Sequence, residues 1–417
     1  MRVKSKELFL FTYAITIICR SLIGHEYVSV PYTPVYLAFI LFWGTYALIN
    51  TGFKISINKD PASKVLVLLT AYFIIWGLYN IHDLDFSDTM TDLIRSLLMM
   101  GFVIVTAFWI KKLDCLGEFV KTSFYSLAVL MLASFFIFFR NTSIIASIST
   151  FWIPEEWMRT RNLFGFISNN VAAELAMSVI LLSKAQMSFS DKKPKKMTLY
   201  RLAIIFVDLI MVLIIIMNNS RGTAIALIIM SLFFIIVKAS KKYGIRKIIR
   251  ACCIIVLCCC AVLLYYINVK NVSVETLLQG TNRAHFLDNI EALKSGNKWM
   301  MGLGLISGAY FKEGHLLYGI KLNYMEIFYI RVFVTSGIIG SILIAYIIFN
   351  LLKGIYVTSI KSSTGLEKWI FVVFGYMLFI SMFETYLFSG GYISQVIFLT
   401  IIVSYLQIEY SRKSVSK

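Results

Sequence analysis

The sequence predicts an all-α integral membrane protein with about twelve transmembrane helices, one large extracytoplasmic loop and cytoplasmic N and C termini. Three observations carry this expectation. Of 417 residues 59% are hydrophobic and only 15% charged, against roughly 25% charged in a soluble domain. Mean hydropathy is +0.78, so the apolar surface has lipid as its solvent. The 40 Lys and Arg alternate by loop: with Met1 inside, about two in three fall on the inner side, the positive-inside pattern. The formal charge of +18 is therefore a topology signal, and no nucleic-acid partner is implied.

Each span is a run of roughly 20 mostly apolar residues. The first, 7–24, follows the basic start "MRVKSK" as a signal peptide does, but no small-x-small cleavage site follows and Arg20 interrupts its end, so it reads as an uncleaved helix. Spans follow at 32–49, 64–80, 93–110 and 119–139. The turn "HDLDFSDTMTD" (82–92) carries Asp83, Asp85, Asp88 and Asp92, acids that suit the outer side. The span 164–182 contains Asn169, Asn170 and, a turn later, Glu174. Polar groups at membrane depth are costly, so they pair or border a wet cavity. The spans 199–217 and 222–237 are joined within "NNSRG", which fixes Arg221 at the outer surface, and Asp208 lies mid-helix with no evident partner. The span 251–267 overlaps "ACCIIVLCCC", whose thiols act as small apolar groups. No cysteine spacing there resembles a disulfide framework or a metal site. The last spans are 324–352, 369–388 and 392–409, with Glu384 near the outer end of the second of these.

The whole chain, 1–417, reads as a single polytopic membrane domain. The basic runs "SDKKPKKMTLYR" (190–201) and "KASKKYGIRKIIR" (238–250) are inner connectors facing lipid headgroups. Two outer turns are long, a smaller one at 140–163 and a large one at 268–322, and function concentrates in such loops. No two halves carry interrupted helices at corresponding positions, as a transporter built from repeats would.

The chemistry at these loops points to phosphate. A guanidinium presents a planar fork of donors, and the helix start after Arg221 adds N–H groups and a dipole that favour an anion. The large loop adds "TNRAHFLDNIEALKSGNKWMMGLGLISGAY" (281–310), with an Arg, an amphipathic stretch and a Gly-x-Gly turn, followed by "NYMEIFYIRVFVTSGIIGSIL" (323–343). In this order the motifs resemble those of the O-antigen polymerase and ligase superfamily, integral-membrane glycosyltransferases acting on undecaprenyl-pyrophosphate-linked sugars. The resemblance covers about residues 159–343. It rests on Arg161, Gly165, Asn169 and Asn170 in "RNLFGFISNNVAAELA", on Ser220, Arg221 and Gly222 opening a helix, on Arg283 followed by Gly302 and Gly304, and on Tyr329 ahead of Gly337 and Gly340. The chain departs from the pattern in lacking a proline between Asn169 and Asn170, and in having Glu326 and Ile327 where ligase-like members have His and Asn.

The resemblance implies a polysaccharide polymerase that joins lipid-linked repeat units of a capsule, exopolysaccharide or O-antigen on the outer face of the bacterial cytoplasmic membrane. By that resemblance Arg221 and Arg283 hold the donor's pyrophosphate and stabilise its developing charge, and Glu326 is the general base toward the acceptor hydroxyl. Arg161, Arg331, Asn169, Asn170, Gly302, Gly304, His285 and His315 complete the expected substrate site, and His285 and His315 compete with Glu326 as base. Trp299, Tyr310 and Tyr324 suit stacking against sugars. The expected ligands are a lipid-linked oligosaccharide donor and acceptor, with a flippase and a chain-length regulator as partners. No cofactor is expected, and no metal, since no His, Cys or carboxylate cluster in the outer loops has metal-ligand spacing. Three alternatives stay open. One is a ligase of the same superfamily, and another is a polysaccharide flippase. The third is a lipid-phosphosugar glycosyltransferase with its carboxylate in the first outer loop, here Glu26 of "GHEY".

Overall fold

The computed structural model describes residues 2–22, 25–26, 32–51, 60–79, 86–139, 144–151, 162–166, 168–188, 197–243, 286–305, 316–318, 320–322, 327–361, 365–384, 387–388 and 392–415. Helices dominate these residues. They are α1 (Arg2–Ser21), α2 (Tyr32–Asn50), α3 (Pro61–Leu78), α4 (Phe86–Leu113), α5 (Leu116–Phe138), α6 (Ile144–Thr150), α7 (Asn169–Ser188), α8 (Met197–Met217), α9 (Arg221–Tyr243), α10 (Phe286–Ser295), α11 (Phe328–Lys361), α12 (Gly365–Ile380) and α13 (Ile393–Val415). A two-stranded antiparallel hairpin, β1 (Leu316–Leu317) with β2 (Ile320–Lys321), lies between α10 and α11.

Among the described residues seven helices are long and apolar enough to cross a membrane, those within α2, α3, α4, α5, α8, α11 and α13. This is fewer than the twelve or so runs expected, and the reasons differ by element. The run 251–267 lies outside the described residues. The described apolar part of α9 is Arg221–Leu232. Helix α12 stops at Ile380 instead of continuing to 388, and Ser381 ties off its end, the hydroxyl bonding back to the Met377 carbonyl at 2.6 Å and receiving the Leu387 N–H at 3.0 Å. Helix α7 packs against α5, α8 and α12 and hides Glu174, Ser178, Ser183 and Gln186 from its surroundings. A helix enclosed by protein needs no continuous apolar surface.

The centre of the bundle is α13, which packs against α3, α4, α5, α7, α11 and α12. Its Ser394, Gln395, Thr400 and Ser404 are buried along with Val396, Ile397, Leu399 and Ile401. At the periphery α8 exposes Leu199, Leu202, Ile205, Phe206 and Leu209, spaced three or four apart on one face, as a lipid-facing stripe is. Asp208, on the same helix, does have a partner: the Lys184 ammonium of α7 reaches it, and the Ser183 hydroxyl donates to it at 2.9 Å. An intramembrane carboxylate is retained where a cation and a hydroxyl meet it.

The two ends of the bundle differ in chemistry. At one end Lys6 pairs with Glu118, Tyr405 donates to Glu367 at 2.7 Å, and Gln407 donates to Ser63 at 3.2 Å. There α3 begins with Pro61 after Asp60, whose side chain accepts from the Ser63 backbone N–H at 2.8 Å, a side-chain cap with proline in the first turn. The starts of α7, α9, α11 and α13 meet at the other end, called here the Arg221 end.

Candidate functional site

The Arg221 end is organised by one tight turn. Helix α8 closes at Met217, Asn219 takes a left-handed backbone (φ 57), and α9 starts at Arg221. Asn is, after Gly, the residue that best accepts this conformation at a helix terminus. Ser220 occupies the cap position: its carbonyl accepts the Ala224 N–H at 3.0 Å and its hydroxyl lies 3.0 Å from that of Thr223. A cation at a helix start opposes the macrodipole, so Arg221 there favours an anion beside it. The half-buried Arg221 donates through Nε to the Phe151 carbonyl at 2.9 Å, just beyond α6. Asn162 ties the preceding segment to the same turn, its N–H and side-chain amide donating to the Met217 carbonyl at 3.1 and 3.2 Å, and its amide also to Ser147 at 2.7 Å.

From this turn a chain of polar contacts crosses four helices. The Thr223 hydroxyl donates to Glu174 of α7 at 3.4 Å, and the Tyr376 hydroxyl of α12 donates to the other oxygen of the same carboxyl group. Ser220 donates to Asn170 at 3.5 Å, and Asn170 in turn donates to Glu384 at 2.6 Å. Tyr392, just ahead of α13, donates to the second Glu384 oxygen at 3.0 Å. The network so joins the starts of α7, α9 and α13 to the end of α12. Glu174 is 1% exposed while Glu384 is half-buried. Beside it Gly222 lies on Phe383, where an added Cβ would sit 3.4 Å from that side chain.

Helix α11 approaches the end of α12, with the Phe328 N–H donating to the Ser381 carbonyl at 3.1 Å and the Tyr329 hydroxyl to the Leu378 carbonyl at 2.9 Å. One turn on, Arg331 lies 3.9 Å from Asp92 of α4, which Arg95 also approaches at 3.4 Å. Arg221 and Arg331 thus belong to helices that flank the end of α12.

Of the residues expected from sequence to form the site, the structure brings Asn170, Arg221 and, through the end of α12, Arg331 into one region. Gly302 and Gly304 lie elsewhere, backbone to backbone with Thr335 of α11. Trp299 packs on Phe333, ring centroids 6.2 Å apart. Asn169 is the first residue of α7, as expected of a helix opener. Arg161, Arg283, His285, Tyr310, His315, Tyr324 and Glu326 lie outside the described residues, and so does the side chain of Asn169. Sequence reasoning missed Thr223, Tyr376 and Tyr392. The one local signal was the Ser220-to-Thr223 spacing, which puts both hydroxyls on one helix face.

Residues 206–345, about a third of the chain, match the sequence profile of the O-antigen ligase family. The match supports a likeness of this part of the chain to the O-antigen polymerase and ligase superfamily. No curated protein matches it. Members of this superfamily are membrane glycosyltransferase-like enzymes of O-antigen-related polysaccharide biosynthesis, which fits a multi-pass helical chain. The matched stretch contains Arg221, Arg283, Gly302, Gly304, Glu326 and Arg331. Asn170, Glu174, Tyr376 and Glu384, which complete the polar network, fall outside it.

Proposed function

We propose that this chain is a polysaccharide polymerase of the O-antigen polymerase and ligase superfamily, joining undecaprenyl-pyrophosphate-linked repeat units with the Arg221 end facing out of the cytoplasmic membrane. The observation that carries the reading is Arg221 at the start of α9, inside the profile-matched stretch and next to the Ser220–Asn170–Glu384 chain. In this reading Arg221, with Arg283, holds the donor pyrophosphate and offsets the charge that builds on it as the glycosidic C–O bond breaks. Glu326 takes the proton from the acceptor hydroxyl as its oxygen attacks the anomeric carbon. Arg331 and Arg161 assist with phosphate, and Asn170 and Glu384 order the neighbouring sugar or phosphate groups. The family description favours a second reading, a ligase that transfers finished glycan to another acceptor.

The test is the size distribution of lipid-linked and surface glycan, by gel and mass spectrometry. Cells lacking the gene are complemented with the wild-type chain or with Arg221→Ala. A polymerase predicts single capped repeat units with no ladder, rescued by wild type and not by Arg221→Ala, at equal protein levels. A normal ladder stranded on its lipid carrier would instead identify a ligase. Disappearance of repeat units from the outer leaflet would identify a flippase and refute both.

A further inference from the structure

We infer that Gly302, Gly304 and Gly337 form a backbone clasp that splices the 298–305 loop into α11, and that these glycines position the site without touching substrate. Helix α11 is interrupted at Gly337, whose φ of 62° and ψ of −161° are not helical. In an unbroken helix the carbonyls of Val334 and Thr335 would receive the N–H groups of Ile338 and Ile339, four residues on. Here the loop takes both halves of each lost bond. Ile338 and Ile339 donate to the carbonyls of Trp299 and Met300 at 3.0 and 3.1 Å, while Leu303 and Gly304 donate to those of Val334 and Thr335, both at 2.9 Å. Four bonds replace two, so all four backbone groups freed by the break are paired, as a membrane-embedded helix requires.

This exchange needs backbone in contact with backbone. A Cβ on Gly302 would lie 2.4 Å from the Thr335 carbonyl carbon, and one on Gly337 would lie 2.5 Å from the Met300 oxygen and 2.6 Å from the Gly302 nitrogen. Gly302 and Gly304 also have φ of 77° and 92°, a region side chains resist. Helix α3 locks the clasp from the side, since Trp76 donates from its indole to the Met301 carbonyl at 2.7 Å and accepts the Leu305 N–H at 3.0 Å. Beyond the clasp, Ala292 and Leu293 of α10, Leu303, Leu317 of β1, Leu322 and Val334 share one small core. The α10–hairpin lobe and the part of α11 that carries Arg331 are therefore held as one piece.

The kinetic half of the test rests on the glycosyltransferase reading, and the proteolytic half does not. In detergent-solubilised full-length protein, Gly302→Ala and Gly337→Ala should each raise the rate of proteolytic cleavage within 286–322 by about tenfold. Trp76→Phe, which removes a donor and adds no atoms to the clasp, should raise it severalfold. Gly375→Ala, where nothing lies within 4 Å of the added Cβ, should behave as wild type. In proteoliposomes fed lipid-linked repeat units, the two clasp variants should lose roughly a hundredfold in kcat with KM kept within about twofold. A raised KM with kcat retained would mean that the glycines contact substrate and would overturn the inference. So would wild-type cleavage of Gly302→Ala and Gly337→Ala, or of Trp76→Phe should the alanine variants not reach the membrane. If the wild-type chain turns over no lipid-linked units while Gly302→Ala still opens the lobe, the glycosyl-transfer reading fails and the clasp stands.

Discussion

Glu174 is fully enclosed by protein, yet its two carboxyl oxygens are met by hydroxyl groups, those of Tyr376 and Thr223. Through Thr223 and the adjacent Ser220 it supports the first turn of α9, and hence the placement of Arg221. Replacement by Gln keeps two polar atoms at the same reach, whereas Leu fills the volume and removes the acceptor of both hydroxyl bonds. Losing the two bonds costs about 1–3 kcal/mol. Glu174→Leu should therefore lower the apparent Tm of the detergent-solubilised protein by several degrees and weaken any Arg221-dependent activity, with Glu174→Gln close to wild type. Equal thermal profiles for the Leu variant and wild type would remove Glu174 from this supporting role. At this scale the sequence showed half of the network. Asn170, Ser220 and Arg221 stand out because each sits at a helix start and belongs to a short local pattern. Tyr376 and Tyr392 do not, because a Tyr in or beside an apolar run looks like any core or interfacial aromatic. Its partner here is 202 residues away for Tyr376, a pairing that only the packed helices create.

Helices were legible as apolar runs, but where each stops was decided by bonds from distant chain. The 324–352 run begins at Phe328, where the backbone bonds to Ser381, and continues to Lys361. Its two glycines at 337 and 340 stood in the sequence only as part of the family-like motif, while the break itself depends on a loop some 35 residues upstream that only the fold brings near. The smaller loop contains α6 and the large one α10 and a hairpin, elements too short to carry a clear period. Asp208 looked solitary because its partner, Lys184, sits on the neighbouring helix α7, 24 residues away in the chain. That ion pair ties α7 to α8. Removing one member leaves an uncompensated charge at membrane depth, costing about 3 kcal/mol, whereas replacing both with apolar residues is close to neutral. Lys184→Met alone should thus reduce the yield of monodisperse protein in detergent, and adding Asp208→Leu should restore it. If the double variant is worse than either single one, the pair contributes through its charge and not merely by mutual neutralisation.

For the molecule as a whole, composition and charge alternation were enough to establish a multi-pass helical protein, since both follow from the bilayer and not from any particular contact. Among the described residues fewer helices qualify by length and apolarity alone, in part because α7 is polar along much of its length and is shielded by α5, α8 and α12. A run-based count treats every helix as though lipid surrounded it. The two ends of the bundle provide a direct check on orientation. Glu291 on α10 is exposed at the Arg221 end, and Lys4 on α1 is exposed at the end where Lys6 meets Glu118. If the basic loops are cytoplasmic, Glu291→Cys should react with a membrane-impermeant maleimide in intact cells. Lys4→Cys should react only after permeabilisation, each being scored against the unmodified chain to subtract its own cysteines. The described native thiols interfere little, Cys115 being buried and Cys19 half-buried. The reverse labelling pattern would put Arg221 on the cytoplasmic side, out of reach of repeat units presented on the outer leaflet, and would end the polymerase and ligase readings together.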